Sequence, residues 1–113
     1  MSEKATSLPS LVEMLAQRKR KDNLTNKHIN FLLCWHETMQ PKIFGFRGVP
    51  RLDDQLTRAI TLLKDSESAW ESRTQNNETS LQFHQFFIYT AVSEGVDLPA
   101  DFEERYIQLI KGD

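Results

Sequence analysis

The sequence predicts an all-α protein, an irregular bundle of about five helices. Three observations carry that expectation. Apolar residues recur at three- and four-residue spacings in five stretches. Each stretch is bounded by cap residues, proline or glycine. No stretch alternates apolar and polar residues over the roughly four to eight positions of a half-buried strand.

In the first stretch Leu8, Leu11 and Leu15, flanked by Val12, form an amphipathic stripe. Ser10 with Glu13 matches a capping box, which starts the helix at Ser10, or a turn earlier at Ser7 with Pro9 inside the first turn. It fades by Asp22 and Asn23. Thr25 caps the second helix, whose stripe is Ile29, Leu32, Leu33, His36 and Met39, widened by Phe31 and Trp35, and Pro41 ends it. A third helix over 52–73 places Leu56, Ala59, Ile60, Leu63 and Trp70 on one face. Asp53 and Asp54 sit at its positive end, and Asp54 stands four residues before Arg58.

Polar turn chemistry over 74–80 offers Thr79 or Ser80 as the next cap. Leu81, Phe83, Phe86, Phe87, Ile88, Ala91 and Val92 are apolar around so much of the circumference that this fourth helix is expected in the middle of the bundle, ending at Gly95. The fifth has Asp97 near its cap, Pro99 in its first turn, Asp101, Glu103 and Glu104 early, Lys111 late and Gly112 past its end. Phe102, Tyr106, Leu109 and Ile110 supply its buried face.

With 113 residues the chain fits one domain, expected over 8–113, with 1–7 a disordered N-terminus. A composition of 39% hydrophobic and 27% charged residues suits a globular domain better than a wholly disordered one. The longest apolar runs, 31–35 and 86–89, are far shorter than the roughly 20 residues of a membrane span. No apolar signal segment follows Met1, and Cys34 is alone, so a reducing cytoplasmic setting is expected. The triplets at Asn23 and Asn77 therefore read as chance matches to a glycosylation site and as cap chemistry.

The net charge of −2 hides a division. Residues 1–51 carry nine Lys/Arg against four Asp/Glu, a net of +5, whereas 52–113 carry five against twelve, a net of −7. Two such halves either neutralise each other within one domain or leave an anion-binding face.

Catalytic patterns are absent, and no enzyme is expected. Cys34 and His36 lie about 200° apart around a helix, so the imidazole is turned away from the thiol it would have to deprotonate. His28 and His36 are about 12 Å apart along the axis, too far for one zinc ion, and His84 joins them only through tertiary structure. There is no HExxH, no DxDxDG and no phosphate loop, so neither metal nor cofactor nor small-molecule substrate is called for.

Two features remain. QRKRK, 17–21, packs four cations into adjacent positions, more than a helix end requires. PKIFGFRGVPR, 41–51, is a long helix-to-helix connection, basic and aromatic, with glycines and prolines in turn. Its KIFGFR departs from the strand-borne ribonucleoprotein signature at Ile43 and Arg47. One of Phe44 and Phe46 is expected to turn inward. The residues expected to meet a partner are Arg18, Lys19, Arg20, Lys21, Lys42, Phe44, Phe46, Arg47 and Arg51.

The expected function is a non-enzymatic protein-interaction module, a small helical adaptor, inhibitor or accessory subunit that binds another protein or itself. The alternative is an accessory protein that binds nucleic-acid backbone through the basic N-terminal half, with Phe44 or Phe46 for stacking. A sequence pI near 5.9 weighs against it.

Overall fold

In the computed structural model, which describes residues 11–39, 44–78 and 80–111, the periodic stretches form five helices and no strand appears among the described residues. They are α1 (Leu11–Lys21), α2 (Asn26–Met39), α3 (Leu52–Gln75), α4 (Phe83–Ser93) and α5 (Phe102–Ile110). The chain is an all-α bundle. The start of α1 at Ser7 to Ser10, the stop at Pro41, Lys42, the Thr79 cap and Gly112 lie outside the described residues.

Three helices end by the same device. Beyond α1, α3 and α4 the chain enters the left-handed region at Asn23 (φ 57°), Asn77 (φ 58°) and Gly95 (φ 83°). The next residue then folds its N–H back onto the helix: Leu24 onto the carbonyl of Lys19, Glu78 onto Arg73 and Val96 onto Ala91. Asparagine and glycine are the residues that enter that region at least cost.

At the start of α2, Thr25 Oγ1 accepts the His28 N–H at 3.2 Å and His28 Nδ1 accepts the Thr25 N–H at 3.1 Å, a reciprocal cap with histidine in the third helical position. Two other helix starts differ from expectation. α4 begins at Phe83 instead of following a cap at Thr79 or Ser80, because the Trp70 indole N–H holds the Leu81 carbonyl at 3.0 Å outside the helix. α5 begins at Phe102, so Asp97 and Pro99 precede it: the Asp97 N–H donates to the Gly45 carbonyl at 3.1 Å, which holds that segment against the 44–51 loop.

Trp35, Phe31, Phe44, Phe87 and Phe102 are the largest fully buried side chains. Phe31 meets Phe87 edge to face at 4.7 Å, and Trp35 meets Phe44 and Phe87 in the same manner at 5.1 and 5.2 Å. Such pairs add about 0.5–1.5 kcal/mol each beyond their burial. The central helix is α2, which packs on α1, α3 and α5; α4, expected there, packs on α3 and α5 and leaves Tyr89 and Val92 exposed. The buried face of α2 is also rotated, centred on His28, Phe31, Leu32, Trp35 and Met39, with Ile29, Leu33 and His36 at its margin. Val12 and Leu109, expected inside, are exposed.

No helix among the described residues is long and apolar enough to cross a membrane.

Candidate interaction groove

The described part of the α2–α3 connection, 44–51, is fastened to the bundle at three points. Phe44 is completely buried beneath Trp35, so it is removed from the residues available to a partner. Gly45 (φ 76°) passes so close to Asp97 that a Cβ there would lie 2.2 Å from the Asp97 carbonyl oxygen. The Gln55 amide, buried at the start of α3, donates to the carbonyls of Phe46 and Val49. Phe46 is left half-buried, 5.9 Å from the Trp35 ring.

Fixed in this way, Phe46, Val49 and Pro50 close one end of a groove of about 780 Å³ between α3 and α4. Leu62, Ser66 and Ala69 line it from α3, and Phe86 and Thr90 from α4. The Ser66 hydroxyl is buried there with no hydrogen-bond partner among the described residues. An unsatisfied buried hydroxyl costs about 1–3 kcal/mol, which the packing around α3 has to offset. Among the lining residues Asp54, Asp65 and Glu94 outnumber Arg58, and two further cations stand close by, Arg51 at 4.0 Å from Asp54 and Arg73 over Phe86. Phe86 lies under the Arg73 guanidinium at 5.5 Å, and Tyr89 of the same helix is exposed.

The predicted cations meet the acids of their own chain. Arg18 donates to Asp22 at 3.1 Å and to Asp53 at 2.9 Å, and reaches the Thr57 hydroxyl as well. Partial burial opposes its charge, yet the hydrogen bonds to Asp53 and Asp22 outweigh that and hold its pKa up. Arg47 forks onto both oxygens of Asp97 at 3.0 and 2.9 Å, and Arg51 stands 4.0 Å from Asp54. Lys19 donates to the Asn26 side chain at 2.7 Å, while Arg20 and Lys21 are exposed at the end of α1. Of the eight described residues among those expected to meet a partner, Phe46 alone is among those lining the groove.

Sequence reasoning passed over Ser66 and Phe86. A signal existed for Ser66: it stands three residues beyond Leu63 on the buried stripe of α3, where a hydroxyl is out of place. For Phe86 there was none, because α4 is apolar on every side.

The histidines hold helices together. His28 Nε2 lies 2.6 Å from Glu67 Oε1, tying α2 to α3, and His84 Nε2 lies 3.2 Å from Glu103 Oε2, tying α4 to α5. Burial, then the charge of Glu37, pushes the Cys34 thiol up, away from the thiolate a nucleophile needs. Among the described residues no group of three His, Cys, Asp or Glu is placed to hold a metal ion. No family model, no curated protein and no solved structure matches this chain.

Proposed function

We propose that the protein is a non-enzymatic interaction module, an adaptor or accessory subunit, which docks a basic amphipathic helix of a partner protein in the α3–α4 groove. The observation that carries this reading is an open groove in which Leu62, Ala69 and Phe86 lie beside Asp54, Asp65 and Glu94. The apolar stripe of such a helix would cover Leu62, Ala69 and Phe86, and its cations would face Asp54, Asp65 and Glu94. Charge complementarity supports the choice of a basic occupant, since the groove belongs to the half of the chain that carries a net of −7. Binding of nucleic-acid backbone is less well supported, because Arg18 and Arg47 are engaged by Asp53 and Asp97.

Selection from a library of helical peptides of unbiased charge tests the proposal. Enriched peptides should be amphipathic and net positive, should shift the amides of Leu62, Ser66 and Phe86, and should lose about tenfold or more in affinity to Asp65→Lys. Enrichment of neutral or acidic peptides, or shifts confined to another face, would reject the groove. An oligonucleotide that shifts Arg20 and Lys21 at low salt would favour the other reading.

A further inference from the structure

On the other flank of α3, the first turns of α2 and α4 line a second cavity, of about 370 Å³, separate from the groove. Half-buried rings form its walls: Trp70 of α3, Phe83 of α4 and Tyr106 of α5. Trp70 and Phe83 meet edge to face at 5.8 Å, and Trp70 is held in place by its N–H bond to the Leu81 carbonyl. Two carboxylates, Glu67 and Glu71, line the cavity beside these rings, with one ammonium, Lys27, among the lining residues.

Two histidines also line the cavity: His84, 3.2 Å from Glu103, and His28. His28 Nδ1 accepts the Thr25 N–H, so the ring proton is on Nε2, which donates to Glu67 at 2.6 Å. A ring accepting at one nitrogen and donating at the other is the neutral imidazole. Glu67 thus accepts a hydrogen bond from His28, with its side chain 32% exposed beside aromatic walls. A partly desolvated carboxylate next to ring faces has one natural complement, a cation with an apolar skin.

We propose that this cavity binds an alkylated ammonium group. A primary ammonium keeps a tight hydration shell and needs several acceptors pointed at it, whereas a trimethylammonium is satisfied by ring faces and nearby negative charge without hydrogen bonds. The group could arrive on a free molecule of the choline type or on a methylated lysine of another chain.

Titrating the 15N-labelled protein at constant ionic strength tests this, with four probes: choline, its neutral isostere 3,3-dimethylbutan-1-ol, and one short peptide bearing either trimethyl-lysine or lysine. Choline or the methylated peptide should saturably shift the Trp70 indole N–H and the amides of His28 and Phe83. The isostere and the unmethylated peptide should bind at least about tenfold more weakly. Glu67→Gln, which keeps an acceptor for His28, should weaken binding about tenfold while the rest of the spectrum stays in place. A response to choline alone assigns a free ligand, and a response to the methylated peptide assigns a protein one. No saturable shift with either, equal binding of the isostere or of unmethylated lysine, or an unaltered Glu67→Gln affinity would each overturn the proposal. Because the groove is not involved, these results stand whether or not a basic helix binds there.

Discussion

Arg18, in the last turn of α1, reaches thirty-five residues along the chain to Asp53, in the first turn of α3, and holds it at 2.9 Å. The same guanidinium holds Asp22 at the end of its own helix. One cation thus stands at the negative end of α1 and bridges to an acid at the positive end of α3. The opposite charges of the two halves of the chain meet here inside one molecule.

Arg18 and Arg20, two residues apart in one basic run, should therefore differ sharply. Arg18→Ala breaks hydrogen bonds to two carboxylates from a side chain only 14% exposed, and should lower unfolding free energy by about 1–3 kcal/mol. Arg20→Glu alters an exposed position and should stay within about 0.5 kcal/mol. Urea unfolding of the two variants checks this, and equal losses would show that the Arg18 bridge contributes nothing.

The loop makes a similar pair at its glycines. Both Gly45 and Gly48 have positive φ, 76° and 78°. A Cβ on Gly45 would strike the backbone of Asp97, whereas one on Gly48 meets nothing within 4 Å. Gly48→Ala should cost only the conformational strain, about 1–2 kcal/mol, and Gly45→Ala distinctly more, since backbone must move as well. Thermal unfolding should rank them in that order. If Gly48→Ala is the worse, the 44–47 segment does not run along 96–99.

Where the sequence could be read, one local period was enough. In α3 the stripe Leu56, Ala59, Ile60 and Leu63 is buried as spaced, and Asn23, Asn77 and Gly95 end their helices through backbone geometry that the residue itself permits. Failures came where a distant residue competed with a local signal. Asp97 and Pro99 look like a helix start, but a carbonyl at Gly45 claims the Asp97 N–H. α4 reads as central because apolar side chains surround it, and neither Tyr89 nor Val92 announces that it is exposed. The groove was illegible for the same reason: Leu62 and Phe86 are neighbours only once α3 and α4 have packed.

His36 gives the fold a dependence on pH whose sign follows from its surroundings. Burial, with the Phe44 ring 6.1 Å away, pushes its pKa below the ordinary value of 6.5, and the charge of Glu37 only partly restores it. The folded chain thus takes up this proton less readily than the unfolded one. Stability from the neutral ring is fully present above pH 6.5 and is lost as pH falls through the folded-state value. Carboxylates titrate lower in the same direction, so the comparison with His36→Gln isolates the ring. Urea midpoints for the two proteins should run parallel above about pH 7 and converge or cross below about pH 6, as only the wild type loses stability to this group. Parallel curves from about pH 8 to pH 5, or an NMR titration of the His36 ring at or above 6.5, would show that its site does not disfavour the charge.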